Sequence, residues 1–98
     1  MPKPKLCKER FNNLAKQGCV VCRLFHGVVT PACIHHLTGI QYRSTGKKAK
    51  DEHTIPLCYN HHQGAQGIHT IGMSAWENMF GTQTELLNYA NDLLEAIH

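Results

Sequence analysis

The chain contains two short segments whose cysteine and histidine side chains are of the types that bind zinc. Cys19 and Cys22 are separated by two residues, and Cys58 and His61 repeat the same gap. A structural zinc site takes four thiolate or imidazole ligands at the corners of a tetrahedron, and the two pairs supply that number. We therefore predict one structural zinc bound by these four residues. The competing interpretation, buried reduced cysteines beside a surface histidine, is disfavoured because the gap occurs twice.

The first pair also has the spacing of a redox-active dithiol. A thioredoxin-like reductase needs its first cysteine at the start of a helix. Gly18 precedes the pair and β-branched residues follow Cys19, so the sequence favours metal binding over redox chemistry.

Four of the eight histidines occur as two adjacent pairs, His35–His36 and His61–His62. Neighbouring side chains on a helix diverge by about 100°, and neighbours on a strand point to opposite faces. If His61 binds the structural zinc, His62 therefore faces elsewhere, and the earlier pair separates in the same way. One histidine of each pair is then available for a task that its neighbour does not share.

A cationic segment follows the first histidine pair. Arg43, Lys47, Lys48 and Lys50 lie within Gly39–Lys50. Contact with DNA phosphates is the functional interpretation, and it predicts an affinity that falls steeply with salt. The alternative is an ordinary solvated loop. No helix carries a clear base-reading pattern, so we expect weak sequence preference.

The elements that position these residues can be read from apolar periodicity and from turn residues. We predict, in chain order, a helix over Lys5–Gln17 ended by Gly18, short strands at Val28–Val29 and Ala32–Ile34, a loop over Gly39–Lys50, a strand over Glu52–Leu57, and a helix from Cys58. The remaining cysteines, Cys7 and Cys33, are predicted to be small core residues.

Two capping-box patterns mark the last third of the chain. Ser74 to Glu77 predicts the start of a short helix ending at Gly81, and Thr82 to Glu85 predicts the start of a longer one. The apolar face of the longer helix comprises Leu86, Leu87, Ala90, Leu93, Leu94 and Ile97. We expect this face to pack on the core, since it has too few heptads for a coiled coil.

The bulk properties favour one small domain in a reducing compartment. The 98 residues carry five cysteines and a net charge of +3. An odd cysteine count fits a disulfide framework poorly, and the mild positive charge is compatible with nucleic acid. Neither a signal-peptide pattern nor an apolar run of membrane-spanning length occurs, so we expect a cytoplasmic protein with no membrane partner. Within a single domain, 1–98, we assign 1–18 to an N-terminal helix, 19–72 to the metal-binding core and 73–98 to C-terminal helices.

The cysteine spacings and histidine pairs together resemble the HNH, or ββα-metal, endonucleases. In that family a strand ends in a histidine pair, a second strand follows, and a helix completes the metal site. The resemblance implies that His35 and His62 bind a catalytic metal and that His36 is the general base. It also implies an α+β fold, a small zinc-stabilised ββα-metal core with flanking N- and C-terminal helices. Cys19, Cys22, Cys58 and His61 match the zinc-ribbon members of the family.

A closer resemblance is to the phage recombination-enhancement nucleases, which depend on RecA. It is carried by the segments CxxC, HHLTG, GKKAKD, IPLCYNHHQGAQGIH and FGTQTELL, which occur in this order from Cys19 onward. This resemblance implies an endonuclease of phage or prophage origin that acts in recombination on DNA, with a RecA–DNA filament as a partner, in the cytoplasm of a bacterial host.

Phosphodiester hydrolysis is chemistry that such residues can perform. A neutral imidazole suits proton abstraction from water, which is the role assigned to His36. Mg²⁺ or Mn²⁺ is the expected catalytic metal, and Zn²⁺ is able to occupy the same site in crystals. His69 follows His62 by seven residues, about two helical turns, and is either a third ligand or a packed loop histidine.

Two further residues have open roles. Asp51 orients His36, holds the cationic loop or is an ordinary surface aspartate in a polar loop. His53 either stabilises the phosphate or simply begins a strand. The competing function for the whole chain is a non-catalytic zinc module that binds DNA or a recombination protein. Such a module has no need of a base at His36, so that residue discriminates between the two functions.

Overall fold

The computed structural model describes residues 5–39, 42 and 50–96, with side chains from residue 8 onward. The fold is α+β. Its elements within the described residues are α1 (Lys5–Gln17), α2 (Val20–His26), β1 (Cys33–His36), β2 (Thr54–Leu57), α3 (Tyr59–His62), α4 (Ile68–Ile71), α5 (Met73–Phe80) and α6 (Gln83–Ala96). In this part of the chain, no helix combines the length and the apolar character needed to cross a membrane.

The two strands form an antiparallel pair in which His35 lies opposite Ile55 and His36 opposite Thr54. A sheet of two strands has only edges, which is why it tolerates Pro56 within β2. An isolated pair of strands is marginally stable in water. Here β2 is buried along its whole length, because helices α1, α3 and α6 pack against the sheet.

The core is closed from one side by α5. Trp76 is fully buried, and its indole Nε1 donates a hydrogen bond to the carbonyl oxygen of His61 at 3.0 Å. The ring of Phe80 lies edge-on against the ring of His61, with centroids 5.1 Å apart. α5 therefore fixes the position of α3, which carries the second histidine pair.

Arg10 joins three elements of the fold. Its guanidinium donates to the side chain and the carbonyl oxygen of Thr54, at 3.0 and 2.8 Å, and to Asn91 Oδ1 at 2.8 Å. These bonds connect α1, the start of β2 and α6. The planar fork of an arginine suits three such acceptors better than the single ammonium of a lysine.

The first helix is confirmed over Lys5–Gln17, and it ends at Gly18 as expected. Gly18 has a φ of +79°, and a Cβ there would lie 2.8 Å from the carbonyl oxygen of Thr30. Only glycine meets both requirements. This close approach brings the start of α2 against the segment that leads into β1.

The strand predicted at Val28–Val29 is wrong. Gly27 ends α2 in the left-handed region, with φ of +65°, and the two valines continue as an exposed irregular segment. The next predicted strand, Ala32–Ile34, is displaced to Cys33–His36. The strand predicted from Glu52 begins two residues later, because 51–53 form a turn.

Two side-chain predictions in this region also need correction. Cys33 is exposed at the start of β1 and is not a core residue, whereas the side chain of Cys7 lies outside the described part of the chain. The β-branched residues after Cys19 are helical, since α2 begins at Val20. Burial of Val20 and Val21 against the core overrides their modest preference for strands.

Candidate metal centres and the paired histidines

The four predicted zinc ligands come together at one point. Cys22 Sγ lies 3.8 Å from Cys58 Sγ, and His61 Nδ1 lies 3.6, 3.7 and 3.2 Å from the sulfurs of Cys19, Cys22 and Cys58. A Zn–S bond of about 2.3 Å sets a tetrahedral sulfur–sulfur edge of about 3.8 Å and a slightly shorter sulfur–nitrogen edge. The donor set and its spacing therefore fit a structural zinc of the Cys₃His type.

Two helix starts position these ligands. Cys19 is the N-cap of α2 and Cys22 lies in its first turn, while Cys58 is the N-cap of α3 and His61 lies on that helix. A gap of two residues at a helix start places both side chains on one side of the turn. The zinc would thus join α2 to α3. Cys22 and Cys58 are separated by 36 positions in the sequence.

Cys19 lies at the start of α2, which is the position that a redox-active dithiol takes, so the sequence-based exclusion of a reductase at this pair is wrong in its reason. The burial of the pair nevertheless disfavours redox chemistry. Cys19 is fully buried, and this burial raises the pKa of its thiol to about 12. A redox-active thiol instead needs exposure and a lowered pKa. A zinc ion bound by the four residues would stabilise the thiolate, because the ion displaces the proton.

A second cluster contains His35, His62 and His69. One ring nitrogen from each lies within 4.8 Å of the others, and His62 Nε2 is 3.1 Å from His69 Nε2. A metal–nitrogen bond of about 2.1 Å separates adjacent ligands of an octahedral ion by about 3 Å. The three imidazoles come from β1, α3 and α4, and the helix breaks between His62 and His69 at the glycines of residues 64 and 67.

The cluster is closed on one side and open on the other. His35 is buried, His62 is half-buried and His69 is exposed. Burial lowers the pKa of His35 to about 4. The pKa of His62 is also lowered, mainly by burial and to a smaller extent by the nearby His69. Both shifts favour the neutral imidazole, which is the form that binds a metal. The exposed side leaves room for water or substrate at a bound ion.

The other member of the first pair meets different surroundings. His36 Nε2 lies 2.8 Å from Asp51 Oδ1, and its ring lies edge-on against Phe11 of α1, 6.1 Å between centroids. The structure therefore places the two neighbours in different surroundings. His35 lies in the histidine cluster, and His36 lies beside a carboxylate.

The remaining predicted residues lie outside both clusters. His53 is half-buried, faces the ring of Tyr42 and has an Nδ1 atom without a hydrogen-bond partner in the described part of the chain. Lys50 is exposed. Arg43, Lys47 and Lys48 fall outside the described residues, so the cationic loop stays a prediction.

A family model described as "Protein of unknown function (DUF968)" matches residues 1–96. The chain belongs to this family. No curated protein matches the chain. The DUF968 description names no activity, so the nuclease resemblance stays a prediction and function must be argued from the two clusters.

Sequence reasoning assigned no role to Gln83 in this DUF968 chain, although its amide contacts His35. A signal was present: Gln83 precedes Leu86 by three residues and Ala90 by seven, so it falls on the apolar face of α6. A polar residue at such a position is buried and must be hydrogen-bonded. What it bonds to cannot be read from the sequence.

Proposed function

We propose that the chain is a metal-dependent endonuclease of the HNH type that hydrolyses DNA phosphodiester bonds. The observation that carries this proposal is the division of the first histidine pair. His35 joins two other imidazoles in a candidate metal site, and its neighbour His36 pairs with the carboxylate of Asp51. A binding module has use for neither a second metal site nor a carboxylate-held histidine beside it.

The order of the elements supports the same proposal. Two antiparallel strands are followed directly by a helix, and the candidate ligands lie on β1 and on α3. This strand–strand–helix order is that of the ββα-metal core. The Cys₃His cluster lies at the start of α3, where it would hold the helix that presents His62.

His36 has the partner that a general base needs. Asp51 accepts the hydrogen of His36 Nε2, which leaves Nδ1 as the atom that takes a proton from water. A divalent ion at the histidine cluster would supply Lewis-acid stabilisation of the phosphate and of the leaving oxygen. The role of Asp51 is then to fix the ring and its tautomer, as the carboxylate of a catalytic triad does.

The donor set bears on the choice of metal. Three imidazoles suit Zn²⁺, Ni²⁺ or Fe²⁺ better than Mg²⁺, which prefers oxygen ligands. The Mg²⁺ or Mn²⁺ expected from the resemblance therefore needs oxygen ligands from water and phosphate on the open side of the cluster. Cleavage should be measured with Mg²⁺, Mn²⁺, Ni²⁺ and Zn²⁺ in parallel.

The proposal is tested with the chain carrying one structural zinc, on plasmid, single-stranded and branched DNA, each with and without a RecA filament. We expect cleavage by the wild-type chain with at least one metal. His36→Ala should lower the cleavage rate about 100- to 10,000-fold, the usual contribution of a general base, while DNA affinity is unchanged. His26→Ala, which alters an exposed histidine on α2, is the matched control and should cut normally.

An inert wild-type chain that still binds DNA would contradict the proposal and favour the non-catalytic zinc module. Equal cleavage by wild type and His36→Ala would remove the role of His36. Cleavage only in the presence of the filament would support the RecA partner implied by the resemblance.

A further inference from the structure

The side chain of Gln83 forms a buried junction between α6 and the end of β1. Gln83 is 2% exposed at the first position of α6. Its amide Nε2 donates to the carbonyl oxygen of Thr38 at 2.8 Å, and its Oε1 accepts from the backbone N–H of Thr38 at 3.0 Å. The same oxygen lies 3.1 Å from His35 Nε2.

The backbone of Thr38 decides which way the amide faces. A peptide N–H can only donate and a carbonyl oxygen can only accept, so Oε1 must face the N–H and Nε2 must face the carbonyl. If the amide were turned round, Nε2 would face the N–H of Thr38 and Oε1 would face its carbonyl oxygen. Both hydrogen bonds would then be lost in a buried site, which is costly. The orientation of the amide is therefore fixed by groups that do not titrate.

A fixed amide oxygen in turn fixes the tautomer of His35. Because Oε1 can only accept, His35 Nε2 must carry the hydrogen when the two are bonded. In the neutral ring the lone pair then belongs to Nδ1. A metal ion binds the lone pair, and the second-shell partner of a ligating histidine commonly selects which nitrogen carries it.

We propose that Gln83 is a positioning residue that holds His35 as its Nε2–H tautomer and so makes Nδ1 the metal-ligating atom. This inference deepens the proposed function, since it rests on the histidine cluster being a metal site. It also gives α6 a part in the site. The backbone N–H of Gln83 donates to Glu77 Oε2 at 2.7 Å, so α5 and α6 are joined at the residue that orients His35.

A direct bond from Gln83 to the metal is the competing arrangement. Oε1 already accepts from the backbone N–H of Thr38 at 3.0 Å, and the Thr38 hydroxyl lies 3.3 Å away as a second donor. The oxygen is therefore engaged before any ion binds. The two arrangements predict opposite protonation of His35, which a measurement can separate.

The first test is NMR on the chain carrying a single zinc ion, in the Cys₃His cluster, with the histidine cluster free of metal. Long-range ¹H–¹⁵N correlations of labelled histidine report which ring nitrogen carries the proton, and His35→Gln identifies the signals of His35. We expect the proton on Nε2. A proton on Nδ1 would overturn the inference and favour direct ligation by Gln83.

The second test compares the Ni²⁺ affinity of variants by calorimetry. Gln83→Leu removes the acceptor and should weaken binding about 10- to 100-fold, the usual effect of losing a second-shell partner. Gln83→Glu retains the acceptor for His35 but loses the donor to the carbonyl oxygen of Thr38, so it should keep the Nε2–H signal and recover only part of the affinity. Gln17→Leu is the matched control, because it removes another buried amide bonded to α6, at Ala90, without touching His35.

Equal affinity and an unchanged tautomer in Gln83→Leu would refute the positioning role. Equal losses in the Leu, Glu and Gln17 variants would also refute it, because they would indicate a general loss of stability. The outcome is independent of nuclease activity: a chain that cuts no DNA but has Nε2–H His35 sustains this inference and refutes the proposed function.

Discussion

The imidazole of His35 is buried at 1% exposure, whereas that of its neighbour His36 keeps partial contact with water. The two rings lie on opposite faces of one strand, so a single step in sequence separates a candidate ligand from a candidate base. The alternation of strand side chains was enough to predict that the two rings separate, whereas their roles as ligand and base follow from the nuclease resemblance and stay predictions. Asp51 and Gln83, which hold the two rings, are 15 and 48 positions away from them and become partners only through the tertiary fold.

The lowered pKa of His35 predicts a pH dependence of stability. Its folded value of about 4 lies below the ordinary value of 6.5, so between these two the unfolded chain takes up a proton that the folded chain does not. Stability is therefore complete above pH 6.5 and falls as the pH drops towards 4, by at most about 1.4 kcal/mol per pH unit.

Urea unfolding of the chain carrying one structural zinc measures this effect. From pH 7.5 to 5.5 the wild type should lose about 1 kcal/mol more stability than His35→Gln, which has no titrating ring at that position. Weakening of the zinc site with acid affects both proteins alike. Parallel curves for the two proteins would show that His35 titrates normally in the folded state.

At the scale of the elements, two sequence segments with the same capping-box pattern form different structures. Thr82 caps α6: its hydroxyl accepts from the N–H of Glu85, and the Glu85 carboxylate accepts from the N–H of Thr82. Ser74 lies inside α5, which begins at Met73 after Gly72, so the capping box predicted there is wrong. Glu77 instead accepts a hydrogen bond from Gln83. The local sequence motif does not reveal that Glu77 will accept a hydrogen bond from the following helix and not from its own N-terminus.

The free energies of unfolding of Thr82→Ala and Ser74→Ala test this difference. Removing the hydroxyl of a true N-cap should cost about 1 kcal/mol in the free energy of unfolding. The same change at Ser74 should fall within about 0.5 kcal/mol of wild type, as for most exposed positions. Equal losses in the two variants would mean that Ser74 also caps its helix.

At the scale of the whole molecule, the two clusters meet on one short helix. α3 carries His61 towards the cysteines and His62 towards the histidines, and α5 and α6 hold the flanking residues in place. A structural zinc contributes about 10 kcal/mol or more of apparent binding energy, comparable with the whole stability of a small domain.

The ligand spacings and the long helices could be predicted because they are local features of the sequence. The irregular Val28–Val29 segment and the exposed Cys33 could not, because both depend on how the chain turns at Gly27.

Metal content per chain tests the central claim most directly. The chain and its His35→Ala and His36→Ala variants would be equilibrated with zinc, freed of unbound ion and analysed for zinc and protein. We predict two ions per chain for the wild type and for His36→Ala, and one for His35→Ala, because His35 and not His36 belongs to the histidine cluster. A single ion in the wild type, or equal loss in the two variants, would contradict the account.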